Sequence, residues 1–450
     1  MKTLNPKLKT LNWSYIDDTL KNRMKKNTIA NAVFFILSFP VFFIATPIIL
    51  KFTGKGAFGI WALTGTLLVF VELIGGLQVP TAISVLVPKV DPKKQPDEIN
   101  KLVNTMFFFF LFMAAIMAGA YFFAEPFIIK AFFKVDAGLI ETARFVLGFS
   151  VYAFLINFVM LGFGYLMGGF NLFYILSIMH TISTYVRTGL MIAALYAGFG
   201  IKGVVVAQMG VLLLETIVTL VYLKIAFPPL GFGLKYFSLE KLRSLLGLGL
   251  KLLVAKSGPL VNSNIDKLVL GYFLNPVMTA YYQIGGNISK YISQVPEMLG
   301  LFSLLPAAAE LKARGMMEKI RVMFDRVNKY TFFLAMLLMT GIIIFGREFI
   351  RLWVGEGYDN AYVVMMALAA GYTMGLFGYV PMNILNGLER TKSTMLASAV
   401  SAVLNISLSA FLTWKFGLYG ALAGTLISIT ASSIMLYRSE EHTSELQSQR

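Results

Sequence analysis

KLLVAKSGPLVNSNIDKLVLGYFLNPVMTAYYQIGGNISKYISQVPE, residues 251–297, is apolar enough for lipid yet carries Lys256, Asp266, Lys267, Lys290 and Glu297. An ionised side chain near the middle of a membrane helix costs roughly 2.5 to 3.5 kcal/mol, so such residues face a wet cavity or a partner. Their spacing is helical. Lys256, Ser263 and Lys267 fall at i, i+7 and i+11, and Lys290, Gln294 and Glu297 at i, i+4 and i+7, so each set predicts one face of one helix. Two polar stripes on consecutive helices predict a hydrated, largely cationic chamber, with the rest of the chain as its scaffold.

The rest of the chain supports a polytopic all-α membrane protein. Hydrophobic residues make up 57% of the 450 and charged residues only 14%, against about a quarter charged in a soluble domain. The net charge of +16 sits in short loops beside apolar segments, as topology requires, which argues against nucleic acid as a partner. Cysteine is absent, so there is no disulfide, thiolate metal site or thiol nucleophile.

Apolar stretches of about 20 residues, the length that crosses a bilayer, fall near 28–50, 57–87, 102–124, 142–167, 172–196, 203–226, 245–272, 277–305, 327–346, 361–385, 393–414 and 418–437. That predicts twelve spans. Lys89, Lys93, Lys94 and Lys101, then Lys235, Lys241 and Arg243, then Lys312, Arg314, Lys319 and Arg321, fall in alternate loops, whereas the intervening loops are poorer in charge. The bias places the N-terminus in the cytoplasm.

Gly200-Ile-Lys-Gly203 recurs as Gly417-Leu-Tyr-Gly420, and the turn at Gly169 recurs at Gly387. This faint repeat predicts two halves of six spans each in one orientation, with a cavity between them. The expected organisation is a cytoplasmic arm (1–27), an N-terminal six-helix lobe (28–226), a linker (227–244) containing Pro228 and Pro229, a C-terminal six-helix lobe (245–437) and a polar tail (438–450). The tail is abruptly polar and resembles translated sequencing-adapter read-through; the expectation is that it is not native and that the natural chain continues past 437.

Signals for catalysis are missing. No Gly-x-x-x-x-Gly-Lys-Ser/Thr loop occurs, and His180 and His442, the two histidines, are accompanied by no His-Glu-x-x-His motif or cysteine cluster. No metal and no cofactor is expected. A membrane glycosyl polymerase or ligase, a reading from another class, would need a positioned acid and base, and the loops offer only scattered carboxylates. The sequence reads as a conduit and not as an enzyme.

The substrate-binding candidates are therefore intramembrane cations. Lys256 and Lys290 are the deepest; Gln294 shares the face of Lys290. Lys267 either joins them or is compensated by its neighbour Asp266. In the fifth span Ser177, His180, Thr184 and Arg187 form a stripe whose guanidinium either holds a phosphate through its planar fork or snorkels to the outer interface. Glu72, Glu297 and Asp266 are candidate proton or cation sites, or neutralise basic neighbours. A cationic chamber suits an amphiphile with an anionic head, such as a polyprenyl-pyrophosphate-linked sugar. Outward movement of a negative charge is favoured by about 2.3 kcal/mol per 100 mV of inside-negative potential.

Several motifs carry a resemblance. They are Gly56-Ala-Phe-Gly59-Ile-Trp61-Ala-Leu, Asp266-Lys-Leu-Val-Leu-Gly271 with Thr279-Ala-Tyr281-Tyr, Glu310-Leu-Lys-Ala-Arg-Gly315, Leu352-Trp353-Val-Gly355, Asn386-Gly387-Leu-Glu-Arg390 and Gly417-Leu-Tyr-Gly420-Ala. In this order the chain resembles the bacterial polysaccharide flippases, of O-antigen type, within the multidrug/oligosaccharidyl-lipid/polysaccharide superfamily. The resemblance implies a V-shaped pair of six-helix lobes that passes a lipid-linked oligosaccharide to the outer leaflet of the bacterial plasma membrane by alternating access. It also implies membrane lipid, a polysaccharide polymerase and glycosyltransferases as partners. Basic cavity residues are then expected to meet the pyrophosphate, which suits Lys256, Lys290 and Arg187. A cation-coupled multidrug exporter of the same superfamily is the nearest rival; it typically carries a carboxylate in its first span, and residues 28–50 have none.

Overall fold

The computed structural model describes residues 20–298, 301, 304–388 and 390–448, and among these every long element is a helix and none is a strand. In chain order they are α1 (Leu20–Gly76), α2 (Val79–Leu86), α3 (Pro96–Phe127), α4 (Ile140–Gly169), α5 (Phe173–Tyr196), α6 (Gly200–Ala226), α7 (Leu239–Phe273), α8 (Pro276–Ser293), α9 (Val295–Met298), α10 (Leu304–Ala313), α11 (Met317–Val354), α12 (Asp359–Gly387), α13 (Thr391–Phe416) and α14 (Leu418–Ser448).

Eight helices among the described residues are long and apolar enough to cross a membrane: α1, α3, α4, α6, α11, α12, α13 and α14. This is a multi-pass membrane protein. The first two expected spans both lie in α1, which is two helices joined across a kink at Gly54 (φ 73°, ψ 170°); only glycine adopts that backbone readily. Three further expected spans, α5, α7 and α8, form as helices but carry the polar stripes, which lowers their hydropathy.

The expected second span, 57–87, is also broken. After Gly76 the chain passes through Leu77 and Gln78 in left-handed conformation (φ 46° and 53°) and restarts as α2, with Pro80 in its first turn, where a missing N–H costs nothing. A Cβ on Gly249 of α7 would lie 2.5 Å from the Leu77 carbonyl oxygen, so α7 meets this break backbone to backbone. The expected eighth span, 277–305, divides likewise. Pro296 has no N–H to offer the carbonyl four residues back, and α8 ends with the Gln294 N–H bonded to Tyr291 O. Lys290 therefore lies in α8, Gln294 at its C-cap and Glu297 in the next short helix, α9. The last helix runs on to Ser448, beyond the expected end at 437.

The chain divides into two compact units, one of residues 1–131 and 135–255, the other of residues 132–134 and 256–450. The division falls inside α7, not in the linker at 227–244. In the first unit that linker is stitched to α3. Asn100 donates to Pro229 O (3.0 Å) and accepts from Gly231 N (3.1 Å); Asn104 donates to Gly231 O (2.8 Å) and accepts from Gly233 N (3.0 Å); Thr105 accepts from Ser238 N (3.0 Å). Two carboxamides thus act as a partner strand for a backbone that would otherwise leave buried polar groups unpaired. Glu98, paired with Lys101 (2.8 Å) and Lys241 (2.7 Å), joins the start of α3 to the start of α7.

The repeat seen in the sequence reappears as matched helix boundaries. α4 ends at Gly169 and α12 at Gly387; α6 begins at Gly200 (φ 55°), and α14 begins after Gly417 (φ 60°). Both terminal glycines are close approaches. A Cβ on Gly169 would lie 2.9 Å from Val87 Cβ, and one on Gly387 2.7 Å from Leu305 O.

The second unit has its core where α7, α8, α12 and α14 meet, around Leu270, Tyr282, Val364, Leu368, Leu418, Ala421 and Leu422. Gly285 allows α8 and α12 to touch, since a Cβ there would lie 2.3 Å from Ala361 O. Ser289 one turn on donates to Met365 O (2.7 Å) and fixes the register.

Candidate functional site

Polar side chains of α7 and α8 in the second unit line a cavity of about 170 Å³, with Ser263, Asn264 and Lys267 on one helix, Tyr282, Gln283, Gly286, Asn287, Lys290 and Ser293 on the next, and Leu368 and Tyr372 of α12 completing it. Local chemistry sets up both helices. Asn275 caps α8 by accepting from Met278 N (3.1 Å), and Pro276 presets its first turn. The helical period then brings Tyr282, Gly286, Lys290 and Ser293 onto one face.

The cavity is cationic. Lys267 and Lys290 both line it, Lys267 feels the charge of Lys290, and among the described residues no carboxylate lines it. Lys267 donates to Asn264 Oδ1 (3.3 Å), and Gln283 donates to Asn287 Oδ1 (3.0 Å). Two ammonium groups among carboxamides and hydroxyls supply many donors to an anion. The volume equals about five or six waters, enough for a head group and too small for an oligosaccharide.

Behind this wall lies Asp266, whose side chain points away from the cavity and is 1% exposed. Its Oδ2 accepts from Tyr282 (2.5 Å) and from Thr425 of α14 (2.5 Å), and Ser409 of α13 faces the same carboxylate. The adjacent residues 266 and 267 thus serve different faces of α7, one a buried carboxyl bonded to α8 and α14 and the other a cavity lysine.

The other candidates separate. Gln294 caps α8 and does not line the cavity; its side-chain oxygen is buried without a hydrogen bond. The side chains of Lys256 and Glu297 lie outside the described residues. Arg187, in the first unit, turns back along α5 to donate to Thr184 Oγ1 (3.2 Å) instead of extending toward the helix end. Glu72, also in the first unit, acts electrostatically on Tyr165 of α4. Among the described residues no cluster of three or more histidine, cysteine or acidic side chains could hold a metal.

Residues 48–363 match the family model described as polysaccharide biosynthesis protein. The chain belongs to that family. Among relatives of this polysaccharide biosynthesis protein, EpsK of Bacillus subtilis, an uncharacterized membrane protein, is 25% identical over 431 residues, covering 91% of this chain and 81% of EpsK. The probable flippase AglR of Haloferax volcanii is 24% identical over 177 residues, 39% of this chain. The match spans only 37% of AglR. The lipid II flippase MurJ, in an inward closed conformation, superposes with a TM-score of 0.71 at 15% identity, covering 92% of this chain and 87% of MurJ. At that identity the likeness is one of fold.

Sequence reasoning missed several site residues of this family member. Asn264, Asn287 and Gln283 look like ordinary helix residues, yet Asn264 and Asn287 lie three positions before Lys267 and Lys290, and Gln283 seven before Lys290, and that helical spacing was the available signal. Tyr282 is quoted in the motif Thr279-Ala-Tyr281-Tyr without a role; the structure gives it two, as cavity wall and as donor to Asp266.

Proposed function

We propose that this protein is a flippase that moves a polyprenyl-pyrophosphate-linked oligosaccharide from the cytoplasmic to the outer leaflet of the bacterial plasma membrane by alternating access, with its N-terminus in the cytoplasm. The observation that carries the reading is a cavity within membrane helices whose two charged lining residues, Lys267 and Lys290, are both cations, in a member of a polysaccharide biosynthesis family. A pyrophosphate offers several acceptor oxygens to these donors, while the sugars and the polyprenyl chain extend beyond the small cavity. Lys256 and Gln294 are further candidates on α7 and at the end of α8, and Arg187 is a separate candidate on α5 of the first unit. Asp266 would act through Tyr282, as a fixed counter-charge or as a coupling-ion site; Glu72 and Glu297 are the other acidic candidates.

The cavity disfavours a multidrug exporter for organic cations, because two ammonium groups without a lining carboxylate repel such substrates. The test is vesicle reconstitution of the purified protein with a fluorescent polyprenyl-pyrophosphate sugar. Protein-dependent passage of the probe across the bilayer supports the proposal. Passage of a cationic dye instead, or covalent extension of the sugar, points to the exporter or the polymerase.

A further inference from the structure

A second charged cluster lies in the first unit, on α5 and α6. Glu215 sits near the middle of α6, within an apolar 27-residue span. Three groups of α5 address its carboxylate. His180 Nδ1 pairs with Oε1, Ser183 hydrogen-bonds to it, and Arg187 acts on it electrostatically. His180, Ser183, Thr184 and Arg187 fall at i, i+3, i+4 and i+7, so one face of α5 presents the whole set to α6. Glu215 is 13% exposed while His180 is 55% exposed, so the anion is sheltered and its partner reachable.

We propose that Glu215 is a resident counter-ion, which keeps this stripe neutral when the carrier is empty and yields Arg187 to the anionic head group when substrate binds. The inference rests on the transport reading above. A carrier makes one leg of its cycle unloaded, and a guanidinium with no anion nearby is costly in a membrane. Glu215 lowers that cost without saturating the cation: Arg187 and Glu215 form no direct ion pair, and Thr184 takes one of the five guanidinium N–H donors. A pyrophosphate, with more charge and more acceptor oxygens than one carboxylate, takes up the guanidinium donors that Glu215 leaves open. The carboxylate keeps its pairing with His180 throughout.

Farnesyl pyrophosphate binding to the purified full chain in lipid nanodiscs tests this. Glu215→Gln binds about tenfold tighter, a change of ~1.4 kcal/mol, and Glu215→Asp stays near the wild type. Arg187→Gln combined with Glu215→Gln binds no tighter than Arg187→Gln alone. In the vesicle assay Glu215→Gln lowers the apparent KM and slows turnover, because the unloaded return now carries a bare charge. Should Glu215→Gln not fold, Glu215→Ser, which keeps a hydroxyl for His180 and Ser183, carries the same expectation. Unchanged or weaker binding by a folded neutral variant, or a gain that survives loss of Arg187, overturns the proposal while the transport reading stands. If the folded wild type and the neutral variants all fail to bind, both fall together.

Discussion

The hydroxyl of Tyr282 lies 2.5 Å from Asp266 Oδ2, while Tyr282 is also part of the wall of the cavity that contains Lys267 and Lys290. One side chain thus connects a buried carboxyl group to the wall of the cavity. A head group that displaces Tyr282 changes what Asp266 is bonded to, and a change of charge at Asp266 is felt at the wall.

Replacing Tyr282 by phenylalanine keeps the ring and removes the donor. Asp266 is then left with one fewer hydrogen bond in a buried site, which costs about 1–3 kcal/mol. Thermal unfolding in detergent should show a lower midpoint for Tyr282→Phe, with Thr425→Val lowering it similarly. A midpoint equal to the wild type would mean that the carboxylate does not depend on these bonds.

Loss of either cavity ammonium weakens handling of the anion. Lys267→Gln and Lys290→Gln should each slow movement of the fluorescent lipid about tenfold, or ~1.4 kcal/mol. The double variant should be slower still. Lys256→Gln belongs in the same series, and equal rates in all four proteins would remove the lysines from the site while leaving the family membership untouched.

The linker depends on two amides. Asn104→Ala deletes the bonds to Asn100 O and Gly231 O and orphans Gly233 N, a cost of about 1–3 kcal/mol. Limited proteolysis should then cut between residues 229 and 238 faster than in the wild type, and Asn100→Ala should do the same. Unaltered cleavage would show that the stitch is not what orders the segment.

Two glycines separate packing from propensity. A Cβ at Gly285 meets Ala361 O at 2.3 Å and Met365 N at 2.7 Å, whereas one at Gly341 meets nothing within 4 Å. Gly285→Ala should destabilise by ~3 kcal/mol, the upper end for overpacking, and Gly341→Ala should be neutral or slightly stabilising through helix propensity. Comparable melting curves for the two variants would contradict the close approach of α8 to α12.

Helix identity was legible because hydropathy over about 20 residues is a strong signal. The cationic cavity was partly legible, since Lys267 and Lys290 stand out in an apolar run. Their partners did not. Asn100 and Asn104 read as unremarkable until the backbone they bind is brought beside them from Pro229 and Gly231, far along the chain. Gln294 shares the face of Lys290 only if the helical count runs on past Ser293, and the end of α8 there, with Gln294 as its cap, is a tertiary outcome. Glu215 was open to detection as the one carboxylate in residues 203–226. It was passed over because its meaning lies on α5, in His180 and Arg187.

The amide staple between α3 and residues 229–238 carries a consequence for biogenesis. Every group that it uses is translated before Lys256, so the first bundle has what it needs to lock its own trailing segment while the second is still being made. A nascent chain released at Ala255 would already hold its final stretch in register, and the later helices would be threaded onto an anchored stem.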